Sequence, residues 1–130
     1  MESAVLVDSS FYIRHQRLGR DAFAELESWS LRHELLVCGM VVMEVTRGAR
    51  TATALSHYRS VFAVMSCIPT TSRVWDLATD IARSLDRKGT PIPPQDSLIA
   101  AHALQAGAAV LTLDKDFQRV PGLTVLDRLS

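Results

Sequence analysis

The sequence predicts a three-layer α/β/α domain with a central, mostly parallel sheet, and three observations carry that expectation. Short runs rich in Val and Leu, at Ser3 to Val7, Leu35 to Cys38 and Ala109 to Leu113, have the unbroken apolar character of strands buried on both faces. Between them lie longer stretches with apolar residues at i+3 and i+4 spacing, the pattern of amphipathic helices. Strand and helix alternate along the chain without an internal repeat or linker, as parallel strands joined by helical crossovers require.

With 130 residues and 48% hydrophobic composition, the chain has enough apolar material for one core and reads as a single domain over 1–130. Its formal net charge is zero, so no overall field draws it toward nucleic acid. Of the 14 basic residues, 12 are Arg and only Lys88 and Lys115 are Lys. Arg is the side chain suited to bidentate phosphate and carboxylate contacts. Cys38 and Cys67 lie in apolar settings without metal-site spacing, and both read as buried thiols consistent with a reducing cytosol. No basic segment followed by a long apolar run opens the chain, and the longest apolar run, Leu35 to Met43, is about half of what spans a bilayer. A soluble, cytoplasmic protein with no membrane association is expected.

The elements follow in order. Ser3 to Val7 is the first strand, and Asp8-Ser9-Ser10 forms an N-cap cluster opening a helix to about Arg17, which Gly19 breaks. A second helix is expected from Asp21 to His33, with Phe23, Leu26 and Trp29 on one face. Leu35 to Cys38 is the second strand. Val41, Val42 and Val45 suit a strand, yet Gly39 before and Arg47-Gly48 after favour a helix from Met40 to Gly48. A helix from Ala52 to Met65 and a short strand from Cys67 to Pro69 come next. Thr70-Thr71-Ser72 caps a helix from Arg73 to Arg87 that Lys88-Gly89 terminates. Pro91, Pro93 and Pro94 then hold the chain extended and place Pro94 near the start of a helix from Gln95 to Gln105. The remaining elements are a strand from Ala109 to Leu113, a turn or short helix at Lys115 to Arg119, and a final strand from Leu123 to Leu126.

Acidic residues fall where such a sheet binds ligands, beyond the carboxyl ends of its strands. Asp8 follows the first strand, and Asp114 and Asp116 follow the Ala109 to Leu113 strand. Asp96 sits in the first turn of its helix, where the dipole favours a carboxylate. Glu44 interrupts an apolar segment, and a buried carboxylate needs a cation or a proton. Each has a plainer alternative: a helix cap for Asp8, a first-turn residue for Asp96, an ordinary turn for Asp114 and Asp116, and a pair with Arg47 for Glu44. Together they make an oxygen-rich set suited to Mg2+ or Mn2+, ions that acidify water and stabilise charge on phosphoryl groups. The chain has no GxGxxG, P-loop or GxSxG sequence and no Cys/His spacing for zinc. Position 10 carries Ser10 where an Asp-x-Asp phosphatase needs a second acid, and His15, His33, His57 and His102 are dispersed.

Val-Leu-Val-Asp8-Ser-Ser, Val42-Met43-Glu44-Val45, Asp96-Ser-Leu-Ile-Ala-Ala and Leu-Thr112-Leu-Asp114-Lys-Asp116-Phe117 resemble, in this order, the acid-bearing segments of the PIN-domain nucleases. Within that family they are most similar to the small VapC-type toxins of prokaryotic toxin–antitoxin pairs. The separations are 36 residues (8 to 44), 52 (44 to 96) and 18 (96 to 114), and the likeness covers nearly the whole chain. The resemblance implies a Mg2+- or Mn2+-dependent endoribonuclease with Asp8, Glu44, Asp96 and Asp114 as catalytic acids. Asp8, Asp96, Asp114 and Asp116 are its candidate metal ligands, with Asp114 preferred over Asp116, and Ser9 and Thr112 would hydrogen-bond behind them. RNA as substrate, a cognate antitoxin whose tail lies across the active site, a homodimer, and a heterotetramer or larger complex with the antitoxin are implied as well. Setting those five acids aside leaves 14 basic against 14 − 5 = 9 acidic residues. Arg14, Arg17, Arg47 and Lys115, with Arg20, Arg50 and Arg119, are candidates for holding phosphates, an attraction that weakens with salt. A non-catalytic RNA- or protein-binding module on the same fold is the rival reading. A phosphoacceptor domain lacks the Asp it needs after a middle strand.

Overall fold

The computed structural model describes residues 3–129. Five strands, β1 (Ser3–Val7), β2 (His33–Cys38), β3 (Ser66–Ile68), β4 (Ala109–Leu111) and β5 (Val125–Leu126), pair in parallel in the order β3-β2-β1-β4-β5. The chain moves outward from β1 through β2 to β3, then crosses back to β4 on the other side of β1. Right-handed crossovers therefore place the first four helices on one face and the next two on the other. These helices are α1 (Ser9–Arg17), α2 (Ala22–Trp29), α3 (Gly39–Arg47), α4 (Ala52–Val64), α5 (Ser72–Arg87) and α6 (Pro94–Ala106).

The strands need little explanation beyond burial. Val5, Leu6 and Val7 in β1, Leu36 and Val37 in β2, and Val110 and Leu111 in β4 form the central layer of the core. The β-branched α3 is helical because Val41 and Val45, four residues apart, both bury completely on one face. Helix α6 is enclosed more fully than small residues facing a sheet would suggest: every residue from Asp96 to Ala103 is buried. It lies between the sheet and α5, whose buried face of Val74, Ala78, Ile81 and Leu85 packs against it. Pro94 stands at its start as expected, and Gly107 ends it at φ 66°, with the Ala108 N–H bonded to Ala103 O at 2.8 Å.

Several expectations are corrected. Helix α2 ends at Trp29, not His33, because His33 already pairs with Ser3 and begins β2. Strand β4 stops at Leu111: beyond it the Leu113 N–H turns to Ser10 Oγ instead of continuing the ladder. Strand β5 is only Val125–Leu126, not Leu123 to Leu126, whereas the short helix expected at Lys115–Arg119 is there as a 3-10 helix. Both cysteines are free, but only Cys38 is buried; Cys67 is exposed because β3 is an edge strand. No helix among the described residues is long and apolar enough to cross a membrane.

Phe117, with no exposed surface, pins the 3-10 helix to the core immediately beyond Asp114 and Asp116. Phe117→Ala is expected to lower unfolding stability by about 3–5 kcal/mol, read as a lower urea midpoint with little change in slope; an unchanged midpoint would show that the segment is not anchored there.

Candidate active site

The chain reverses its direction of travel across the sheet between β1 and β4, and a crevice opens beyond the carboxyl ends of such strands. Asp8 follows β1 and Thr112 follows β4. Asp8 is extended (φ −71°, ψ 156°) and caps α1 by accepting the Ser10 N–H at 3.4 Å. The Thr112 hydroxyl donates to Asp8 Oδ2 at 2.8 Å, and its oxygen accepts the Asp114 N–H at 3.0 Å. Ser9 Oγ stands 3.4 Å from Asp8 Oδ1 and 3.3 Å from Glu44 Oε1, within donating distance of both. Asp8, Ser9 and Thr112 are all buried.

Ser10 has a role that its sequence position did not disclose. Its Oγ lies 3.2 Å from Thr112 Oγ1 and accepts the Leu113 N–H at 3.0 Å, so it ties the exit of β4 to the first turn of α1. Its place as the second hydroxyl of Asp-Ser-Ser is the only trace of this in the sequence.

Asp96 enters from α6, where its own N–H bonds to Pro93 O at 3.0 Å and its side chain points into the site. Asp114 caps the 3-10 helix by accepting the Asp116 N–H at 2.9 Å. One carboxylate oxygen each from Asp96, Asp114 and Asp116 lies within 4.8 Å of the others. The two sequence alternatives thus merge for Asp8, which caps α1 and faces the site, and Asp114, expected in an ordinary turn on the plainer reading, caps the 3-10 helix and lines the same cleft. A cleft of about 590 Å³ is lined by Asp8, Glu44, Asp96 and Asp114, together with Ser9, Arg14 and Arg17. Asp116 joins the acid cluster from the rim, where it also lies 3.6 Å from Arg119 Nη1. Arg47 lines adjoining clefts, and Lys115 is exposed and lines none of these.

Glu44 makes no ion pair with Arg47 within 4.0 Å; Ser9 is its hydrogen-bond partner. Burial, followed by the nearby Asp8 charge, pushes the Glu44 carboxyl above its usual range, while Ser9 and Arg47 oppose the shift. Burial also dominates at Asp96, where Asp114, Asp8, a shared hydrogen bond with Asp114, and Asp116 add to it and push the carboxyl up to about 7. An all-oxygen donor set that raises the proton affinity of its own members is what a hard divalent cation neutralises. The histidines stand apart: His15 bonds Phe11 O and Glu25, and buried His102 bonds Thr70 and Leu98 O.

The PIN domain profile matches residues 5–123, nearly the full chain. The chain belongs to the PIN-domain family. Among curated relatives, a segment of 48 residues is 44% identical to the tRNA(fMet)-specific endonuclease VapC of Salmonella typhimurium, covering 36% of this chain and 36% of that protein. Solved structures agree over far more of the PIN fold. VapBC from nontypeable Haemophilus influenzae matches with a TM-score of 0.79 at 22% identity, covering 95% of this chain and 97% of that one. VapBC from Rickettsia felis, bound to a DNA fragment from its promoter, matches with a TM-score of 0.78 at 19% identity, covering 94% and 96%.

The PIN-fold acid cluster makes stability depend on pH. Asp96 is raised from 3.8 to about 7, so between those values the folded protein holds a proton that the unfolded chain has released. Stability therefore falls as pH rises through that window, and the deficit is complete above it. Without divalent metal, the protein is expected to melt at a higher temperature at pH 5 than at pH 8. Asp96→Asn should flatten that dependence and stabilise the protein at pH 8, by on the order of 1–2 kcal/mol. A metal-free melting temperature that rises from pH 5 to pH 8 would contradict this assignment.

Proposed function

We propose that this PIN-domain protein is a metal-dependent endoribonuclease, the toxin component of a VapBC-type toxin–antitoxin system acting in the cytoplasm. The observation that carries the reading is the convergence of Asp8, Glu44, Asp96 and Asp114, from four separate segments, on one cleft at the sheet's reversal point. The partial identity to a VapC endonuclease supports the reaction class, and structural neighbours that are VapBC complexes support an antitoxin partner. A homodimer, joined by the antitoxin into a heterotetramer or larger complex, belongs to the same reading.

Asp96 and Asp114 would hold Mg2+ or Mn2+, with Asp116 within reach of the same ion and Asp8 and Glu44 lining the same cleft beside them. When bound, such an ion supplies positive charge that stabilises the phosphoryl transition state and acidifies water. Thr112 orients Asp8 through its short hydrogen bond, and the Ser9 hydroxyl bridges Asp8 and Glu44, donating its one proton to either carboxylate. Asp114 is preferred over Asp116 because it lines the cleft, its N–H is held by Thr112 Oγ1 and its carboxylate accepts the Asp116 N–H, whereas Asp116, although in the same acid cluster, also pairs with Arg119. Hydrolysis adds water to phosphorus and breaks the P–O3′ bond. The departing 3′ oxygen takes up a proton, leaving a 5′-phosphate and a 3′-hydroxyl.

Purified protein is expected to cut RNA with Mg2+ or Mn2+ and to lose the activity in chelator. Asp8→Asn or Asp96→Asn should lower kcat by at least about 10²–10³-fold, and Thr112→Val by about 10–100-fold through a misplaced Asp8. Asp114→Asn should cost more than Asp116→Asn. Equal cutting in chelator, or by the Asp8 and Asp96 variants, would overturn the proposal.

A further inference from the structure

The acid cleft has a difficulty as an RNA site. Five carboxylates gather at or beside it, and a single divalent ion offsets only part of their charge, so the acids themselves repel a polyanion. With a net charge of zero, the chain has no general field to compensate. Attraction for the RNA backbone must come from a local concentration of positive charge beside the acids.

Such a concentration lies next to them. A second cleft, about 660 Å³, is lined by Arg17, Arg47 and Arg50, and it shares Arg17 and Glu44 with the acid cleft. Three elements build it: the end of α1, the end of α3 and the start of α4. All three arginines are exposed or at the rim, and among the described residues none of them forms an ion pair. Arg119 differs, since it is engaged with Pro91 O and Asp116. The positive end of α4 opens on the same space at Thr51.

The floor of this cleft is also fixed. Gln16 donates to Val45 O at 3.4 Å, tying the end of α1, and with it Arg17, to the helix that carries Arg47. Gly48 keeps the floor low: a Cβ there would sit 3.3 Å from Gln16 Oε1 and 3.4 Å from Val45 O.

We propose that Arg17, Arg47 and Arg50 form a phosphate-binding subsite for the RNA strand, which runs from the acid cleft past Glu44 into the arginine cleft. This rests on the nuclease reading above and adds a location for the strand. Arg17 lies nine residues along α1 from Asp8, about 13 Å at 1.5 Å per residue. A stacked strand covers that distance in at most about four nucleotides at ~3.4 Å each. The phosphates held there are therefore within about four nucleotides of the scissile one, on one side of it only. Contacts to phosphate alone carry no sequence information, so this subsite supplies affinity and register, and base choice must lie elsewhere.

The test measures binding of a short single-stranded RNA with Mg2+ present, in an Asp8→Asn background that does not cut it, across a range of salt. Each of Arg17→Gln, Arg47→Gln and Arg50→Gln is expected to weaken binding about 3–10-fold, equally for unrelated sequences. Each should also flatten the dependence of log K on log salt by about 0.7. Arg47→Lys and Arg50→Lys should restore most of that slope, and Arg83→Gln, on the exposed face of α5, should change nothing. Neutralising single RNA phosphates as methylphosphonates should locate one or two positions, on one side of the cut, whose loss is not additive with Arg47→Gln or Arg50→Gln. Unchanged affinity and slope in the Arg17/Arg47/Arg50 triple variant would overturn the proposal, as would full additivity at every phosphate. Undiminished RNA binding with lost binding of a polyglutamate peptide would assign the cleft to an acidic protein segment and overturn it too. The nuclease reading fails separately, if the wild-type protein with Mg2+ or Mn2+ leaves RNA uncut.

Discussion

The hydrogen bond from Thr112 to Asp8 Oδ2, 2.8 Å long and buried, joins the two strands at the middle of the sheet. It exists because β1 and β4 pair in parallel with Val7 opposite Leu111, which brings the next residue of each strand to the same level. From that contact the arrangement propagates outward. The Thr112 oxygen receives the Asp114 N–H, Asp114 receives the Asp116 N–H, and Ser10 receives the Leu113 N–H. Backbone N–H groups leaving β4 are thus satisfied by the side chains that shape the site, so the closing segment is positioned by the same bonds that solve its burial problem.

The site gathers like charges in a partly dry crevice, an arrangement that costs stability unless something anchors its members. The anchors are the local structure around it. Asp8 and Asp114 cap helices, Asp96 rides on a helix buried through Ala103, and Phe117 fixes the segment after Asp116. The fold holds the carboxylates together against their repulsion by spending apolar burial nearby. The raised Asp96 carboxyl is the visible trace of that opposition.

Much of this was legible in the sequence. Uninterrupted Val and Leu runs identified the strands, since parallel strands bury both faces, and the acids at their ends were readable because strand ends in such sheets are ligand sites. Helix α3 was readable only from Gly39 and Gly48 at its borders, because Val41 and Val45 by propensity pointed the other way. What escaped depends on contacts distant in sequence. His33 belongs to β2 because Ser3 lies opposite it, thirty positions away. Cys67 is exposed because β3 is paired only on its β2 side among the described residues, a matter of sheet order that local apolarity does not encode. Ser10 reaches Thr112 across 102 positions, and no spacing rule anticipates such a pair. Which basic residues border the acids was likewise hidden: Arg47 and Lys115 looked equivalent, yet Arg47 lines two clefts that include Glu44 and Lys115 lines neither.

The sheet ends on one side in β3, three residues long, and on the other in β5, two residues long. Rows of unpaired backbone groups at sheet margins are templates on which chains add to one another, and their danger grows with length and flatness. Margins this brief offer a passing chain too few consecutive bonds to hold it. Short margins are one of the devices by which sheets avoid edge-to-edge pairing between copies, and here they come from the way the chain ends its outermost strands.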